Sequence, residues 1–107
     1  MIKRKSDLGE MKMNYRNESV DKLFEAILSL KTTDECYRFF EDACTVKEIL
    51  DIAQRFEVAK MLSDKKSYAV IAKETGMSTA TISRVNRALM YGTGGYKLAM
   101  ARTEEKK

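Results

Sequence analysis

The sequence SYAVIAKETGMSTATISRVNRAL occupies residues 67–89 and contains two short helical patterns separated by a turn signal. Ser67 is placed to cap a first helix, Tyr68 to Thr75. Gly76 follows, and glycine most easily adopts the left-handed conformation in which helices often end. The first half of the stretch therefore predicts a helix that stops at a defined residue.

The second half of the stretch predicts a helix with two unlike faces. Ser78 is placed to cap it, and Ile82, Val85 and Leu89 form an apolar stripe with helical spacing. The other face is polar and has no acidic residue: Thr79, Thr81, Ser83, Arg84, Asn86 and Arg87. A helix in the major groove of DNA needs small side chains and hydrogen-bond donors, and phosphates repel acids. We interpret the stretch as a DNA-binding helix-turn-helix, with an ordinary helical hairpin as the alternative.

Candidate DNA contacts follow from this interpretation. Expected on phosphates are Lys65, Lys66, Ser67 and Lys73. Expected near base edges are Thr79, Ala80, Ser83 and Arg87, while Ser78, Thr81 and Arg84 complete the candidate contacts. The methyl group of Ala80 suits a thymine methyl, and Arg87 suits a guanine or a phosphate.

Positive charge is concentrated in the second half of the chain. Residues 1–59 carry ten Lys or Arg against twelve Asp or Glu, giving −2, whereas residues 60–107 carry ten against four, giving +6. This asymmetry favours a polyanion as the partner of the second half, which the helix-turn-helix indicates to be double-stranded DNA, and something other than nucleic acid as the partner of the first half. The alternative is a tail effect, since four of those ten positive residues are Lys97, Arg102, Lys106 and Lys107.

The composition disfavours several classes of protein. The 107 residues include no histidine, and we find no glycine-rich phosphate loop or compact carboxylate pair. An enzyme, a cofactor and a metal site are therefore not expected. Cys36 and Cys44 are predicted to be reduced core thiols, with a redox switch as the alternative. Without a transmembrane-length run or a signal-peptide pattern, a soluble cytoplasmic protein without a membrane partner is expected.

Two amphipathic patterns precede residue 45. The first spans Val20 to Leu30 and is expected to bury one broad apolar face, with Asn17 or Ser19 as its cap. The second is expected to begin at Thr32 or Thr33. Thr32 and Glu35 have the spacing of a capping box, in which each side chain bonds the backbone of the other residue.

A third pattern begins at a second capping box, Thr45 with Glu48, and continues to about Leu62. It is apolar on nearly every side, so it needs more partner surface than one small chain provides. A homodimer through residues 17–62 is therefore predicted. A monomer that packs the same stripes internally is the alternative.

The chain is expected to form one all-α domain, residues 16–107, because no linker pattern divides it before Met90. Residues 1–15 mix charges with weak periodicity and are expected to form a flexible arm. One interpretation is a disordered start without a function, and the other is a basic arm, Lys3 to Lys5, that touches DNA.

The run from Thr45 to Leu89 resembles the Trp repressor superfamily, above all the segment TGMSTATISR at residues 75–84. Within that superfamily, residues 15–100 look like the Trp-repressor-related YerC/YecD family of bacteria. The resemblance implies an all-α fold of about six helices, in which two chains interlock through their N-terminal helices. It implies a homodimeric transcriptional regulator, expected to be a repressor, whose helix-turn-helix heads bind DNA. The alternative function is a helical protein-interaction adaptor that keeps the motif as scaffold.

The best-known member of that superfamily binds tryptophan, and the resemblance carries only part of its ligand set to this chain. Thr45, Arg55 and Arg84 match residues around the amino acid, although Arg55 also suits a carboxylate or solvent and Arg84 a phosphate. Val85 replaces a glycine, and Ala88 replaces a serine that helps to hold the ligand amine. Valine fills space, and alanine offers a buried ammonium no acceptor. Tryptophan is therefore not expected to be the corepressor, and an unknown small effector is left open.

Overall fold

A computed structural model describes residues 15–104, in which six α-helices are the only regular elements. They are α1 (Glu18–Leu28), α2 (Thr33–Ala43), α3 (Val46–Ser63), α4 (Tyr68–Thr75), α5 (Thr79–Tyr91) and α6 (Gly95–Glu104). The predicted all-α fold class is confirmed. The predicted arm, residues 1–15, lies outside the described residues except for Tyr15, and the single domain of residues 16–107 stays a prediction.

The helices fall into two compact units, α1 with α2, and α3 with α4, α5 and α6. In the first unit, the Asn17 side chain caps α1 by accepting the N–H of Val20 at 2.9 Å. At the start of α2, Thr32 Oγ1 accepts the N–H of Glu35 at 3.1 Å. The Glu35 carboxylate accepts the N–H of Lys31 at 2.8 Å. One of the two bonds of the predicted capping box is therefore present, and the other is made to Lys31 in place of Thr32.

Neither α1 nor α2 contains a buried side chain. Half of the Phe24 side chain is exposed, and Leu28 and Tyr37 are more open still, at 83% and 63%. The sequence predicts that α1 buries one broad apolar face, and within a single chain that face is not buried. Two short helices enclose too little space for a core, and their apolar sides need another surface.

The core of the second unit lies where α3, α4 and α5 meet, and its central side chains are fully buried or nearly so. The predicted stripe of α5 is confirmed, since Ile82, Val85 and Leu89 are exposed by 7% or less. The core cluster consists of Val58, Ala59, Met61, Ile71, Ile82 and Val85, and Leu62, Ala72, Met77 and Tyr96 pack against it.

The long helix α3 begins at the predicted capping box. Thr45 Oγ1 accepts the N–H of Glu48 at 3.1 Å, and the Glu48 carboxylate accepts the N–H of Thr45 at 2.9 Å. Its two halves differ in burial: Val58 in the second half is fully buried, whereas Val46 and Leu50 in the first are 67% and 57% exposed. The helix predicted to be central is therefore central only over its second half, where the other three helices of the unit pack.

Helix α6 is held to α3 by an aromatic stack. The rings of Phe56 and Tyr96 lie 6.4 Å apart at an angle of 26°, and the Lys60 ammonium lies 5.3 Å from the Phe56 ring centre. Stacked aromatic rings and a cation over a ring are both favourable arrangements. The stack places α6 beside the helices that form the core.

Candidate nucleic-acid interface

A helix-turn-helix occupies the predicted stretch, with α4 and α5 joined by residues 76–78. Gly76 has a φ of 75°, and its N–H donates to the Ala72 carbonyl at 2.8 Å. Thr75 Oγ1 then accepts the N–H of Met77 at 3.1 Å, which holds the half-buried Met77 against the core. The turn is therefore closed by its own hydrogen bonds, and α5 continues two residues beyond the predicted end, to Tyr91.

Both helices begin at the serines that the sequence indicates. Ser67 Oγ accepts the N–H of Val70 at 3.2 Å, and Ser78 Oγ accepts the N–H of Thr81 at 3.1 Å. The Ser78 hydroxyl also donates to Thr81 Oγ1 at 3.1 Å. Ser78 and Thr81 therefore fix the start of α5, while the Ser67 hydroxyl donates its proton to no acceptor among the described residues.

The face of α5 opposite its buried stripe is open to solvent. Thr81 and Asn86 are half-buried at its edges. The remaining candidate contacts on the helix are exposed: Thr79, Ala80, Ser83, Arg84 and Arg87. None of these five makes a side-chain hydrogen bond or an ion pair within residues 15–104, so the hydroxyl and guanidinium donors of the four polar ones are available to a ligand.

The cations beside α4 differ in their surroundings. Lys65, Lys66 and Lys73 are all exposed. The Lys66 ammonium lies 3.6 Å from the carboxylate of Glu74, whereas Lys65 and Lys73 have no ion-pair partner among the described residues. Lys65 and Lys66, both expected on phosphates, therefore differ in whether a carboxylate lies beside the ammonium group.

The five residues that the resemblance places around a possible effector differ in burial and in their contacts. Thr45 is occupied as the cap of α3, and Arg55 and Arg84 point outward as exposed side chains. Val85 is 2% exposed and belongs to the core cluster, whereas Ala88 is exposed. The valine is thus part of the packing between α3, α4 and α5.

Sequence reasoning missed the conformation of Lys65 and the partner of Lys66. Lys65 follows Asp64, the C-cap of α3, and has a φ of 67°, in the left-handed region that normally favours glycine. Glu74 lies eight residues from Lys66 along the chain, beyond any spacing that a single helix brings together. The presence of Glu74 as the sole acidic residue of 67–89 was the available signal.

The sequence of residues 18–104 matches a family model that is described as Trp repressor protein. The chain belongs to the Trp repressor family. It is 54% identical over 90 residues to the uncharacterized protein YerC of Bacillus subtilis (strain 168), covering 84% of this chain and 86% of YerC. The predicted resemblance to the Trp-repressor-related YerC proteins is therefore confirmed.

Two solved structures of Trp-repressor-like proteins share the fold. A TrpR-like protein from Eubacterium eligens ATCC 27750 is 56% identical, with a TM-score of 0.82, and the match covers 85% of this chain and 94% of that one. A candidate Trp repressor from Staphylococcus aureus is 47% identical, with a TM-score of 0.81 and coverage of 85% and 91%. The Trp repressor family is one of DNA-binding regulators of transcription.

Two further observations concern other classes of function. No helix within residues 15–104 is long and apolar enough to cross a membrane. In the same residues, no group of three or more His, Cys, Asp or Glu side chains is placed to hold a metal ion. Cys36 and Cys44 are unpaired thiols there, and both are half-buried rather than in the core as predicted.

Proposed function

We propose that this protein is a sequence-specific DNA-binding regulator of transcription, a repressor, that acts as a homodimer through its helix-turn-helix. The observation that carries the proposal is the exposed face of α5. It presents hydroxyl and guanidinium donors that have no partner within residues 15–104, and it carries no acidic side chain, in a protein of the Trp repressor family. Such a face suits the major groove, where donors bind base edges and phosphates repel acids.

Contacts to phosphates are assigned to groups beside α4. Lys65 and Lys73 carry exposed ammonium groups without an ion-pair partner in the described part of the chain. The Ser67 oxygen caps α4, and its hydroxyl proton has no acceptor in the part of the chain that the structure describes. These groups position the protein on the duplex without reading its sequence. Lys66 is set apart from them, because its ammonium is paired with Glu74.

Contacts to bases are assigned to the exposed face of α5. Thr79 and Ala80 lie on its first turn, and Ser83 and Arg87 follow on the same exposed side. Ala80 suits a thymine methyl group, and Arg87 suits the two acceptors of a guanine. Ser78 and Thr81 hold the start of the helix, and Arg84 is free for a phosphate or a base.

The homodimer is inferred from apolar side chains that one chain leaves open. Leu28 on α1 is 83% exposed, Tyr37 on α2 63% and Val46 on α3 67%. Single exposed apolar side chains are ordinary on a protein surface, but large ones on three successive helices, two of which bury no side chain, are typical of helices that pack against another chain. A dimer also suits the motif, because paired recognition helices reach successive major grooves about 34 Å apart.

The binding of DNA is tested by its dependence on salt. The wild-type protein and a labelled mixed-sequence duplex are titrated by fluorescence anisotropy between about 50 and 200 mM salt. If six phosphates are neutralised, affinity falls on the order of 10³-fold over that range. A helical adaptor that keeps the motif only as scaffold shows no such slope, and that result would refute the proposed function.

A further inference from the structure

The turn between α3 and α4 contains two adjacent lysines with unlike backbones. Among residues 15–104, Lys65 is the only residue other than glycine with a positive φ, 67°. Its N–H donates to the Leu62 carbonyl at 2.9 Å, and the N–H of Lys66 donates to the Met61 carbonyl at 3.1 Å. This pair of bonds is the usual ending of a helix, in which glycine normally occupies the left-handed position.

A lysine at the left-handed position lowers stability relative to glycine, because its Cβ crowds the backbone. The same chain places glycine at the corresponding position after α4, where Gly76 has a φ of 75°. Strain of this kind tends to be kept where a side chain has a function. The side chain of Lys65 is therefore the feature of the turn that needs an explanation.

The surroundings of the two ammonium groups also differ. Lys66 lies 3.6 Å from the Glu74 carboxylate, and both side chains remain about half exposed, at 42% and 51%. Lys65 has no ion pair among the described residues and is exposed. The backbone N–H groups of both lysines are already donated within the chain. These two residues can thus offer a phosphate only side-chain charge, and the Glu74 carboxylate lies beside one of the two ammonium groups.

We propose that the two lysines of this turn have different roles. Lys65 contacts a DNA phosphate, and the ion pair with Glu74 prevents Lys66 from contacting one. A phosphate that approached Lys66 would have to displace the carboxylate or accept its repulsion. Glu74 is in this sense a positioning residue that limits sequence-independent affinity. The inference rests on the proposed binding of DNA and assigns separate roles within it.

The division is tested by four single variants and one double variant, titrated with the same mixed-sequence duplex across the same salt range. One phosphate contact changes affinity roughly eightfold at about 100 mM salt and the logarithmic salt slope by about 0.9. We expect Lys65→Gly to lower the affinity for DNA by that factor, and the salt slope by that value, for each protomer. Lys65→Arg keeps the positive charge and is expected to retain binding. Glu74→Gln is expected to raise the affinity and the salt slope by the same amounts, because Lys66 is then free to contact a phosphate. Lys66→Gln removes no phosphate contact, so it loses less of the salt slope than Lys65→Gly although it leaves the Glu74 carboxylate unpaired. Combining Lys66→Gln with Glu74→Gln returns binding to the wild-type level.

Thermal unfolding supplies an independent measurement. Lys65→Gly relieves the left-handed strain and is expected to melt at a higher temperature than the wild type while binding DNA more weakly. Equal losses of slope in Lys65→Gly and Lys66→Gln, or a Glu74→Gln variant that gains nothing, would overturn the division. A wild-type protein without salt-dependent binding would instead overturn the proposed function, and this inference with it.

Discussion

Arg87 and Lys73 are exposed cations on the two helices of the same motif, and their positions predict different roles. Arg87 lies on the open face of α5 three residues after Arg84, whereas Lys73 lies in the last turn of α4. A guanidinium can form two parallel hydrogen bonds to guanine, and an ammonium on a phosphate acts as a point charge. The two side chains therefore differ in whether they sense base sequence.

We expect Lys73→Ala to weaken binding about equally for all sequences and to reduce the salt slope by about 1. Arg87→Ala is expected to cost about 1 to 3 kcal/mol and to relax preference at one base position. The measurement is selection of bound duplexes from a randomised pool, repeated for each variant. Equal and sequence-independent losses for both variants would remove Arg87 from base recognition.

The buried side chain of Val85 is the main reason to expect that tryptophan does not bind. Its side chain is 2% exposed within the core, in the place where the resemblance puts a glycine beside the ligand. We expect calorimetry to show no saturable micromolar binding of tryptophan, since losing two features of about 2 kcal/mol each moves a micromolar site to millimolar. Micromolar binding accompanied by tighter binding of DNA would contradict this.

The combined change Val85→Gly and Ala88→Ser tests the reason for that expectation. Removing the buried valine costs about 3 kcal/mol or more, so the unfolding of the variant must be measured first. If space and a hydroxyl are what is missing, the folded double variant gains measurable affinity for tryptophan. Ala88→Ser alone changes an exposed position and serves as the folded control without the added space.

At the scale of elements, helix ends are specified by local side chains. The starts of α1, α3, α4 and α5 all have a side-chain oxygen that accepts a backbone N–H three residues on, at 2.9 to 3.2 Å. These bonds satisfy donors that a helix otherwise leaves without a partner. The element that presents the proposed base contacts, α5, depends on Ser78 in this way.

We expect Ser78→Ala to lower the free energy of unfolding by about 1 kcal/mol, because the cap of α5 and its bond to Thr81 are both lost. Chemical denaturation measures the change. Ser83→Ala is the matched control, since the Ser83 side chain is exposed and has no hydrogen bond among the described residues. It should leave stability within about 0.5 kcal/mol of the wild type while weakening DNA binding. Equal destabilisation by both changes would contradict the capping role.

For the whole molecule, the distribution of buried residues predicts association. Every fully buried side chain of the described residues belongs to the second unit, while α1 and α2 bury none. A stable pair of amphipathic helices requires an apolar surface to cover it. A second copy of the chain supplies that surface in the proposed homodimer.

Sedimentation equilibrium at micromolar concentration is expected to give twice the chain mass of 12.3 kDa. Leu28→Glu should shift the protein toward monomer, because it places a charge in the proposed interface. Lys22→Glu is the control on the same helix, where it replaces an exposed ion pair of 3.5 Å with Glu18 by an exposed pair of like charges and touches no apolar surface. A wild-type monomer that unfolds cooperatively would refute the homodimer.

The all-α class, the helix-turn-helix and its caps could be predicted because their signals are local. Ser67, Gly76 and Ser78 act within three or four residues, and the stripe of Ile82, Val85 and Leu89 needs only helical periodicity. Such short-range preferences are set by backbone geometry and nearby hydrogen bonds. They are therefore visible in the order of the residues.

The burial of each apolar residue and the pairing of distant charges emerge only when the helices pack. Periodicity marked all of α3 as apolar, yet the other helices of its unit cover Val58 and leave Leu50 open. The contact between Lys66 and Glu74 likewise depends on where α4 lies relative to the end of α3. These features arise from contacts between residues that are separated along the chain, so no local pattern of residues specifies them.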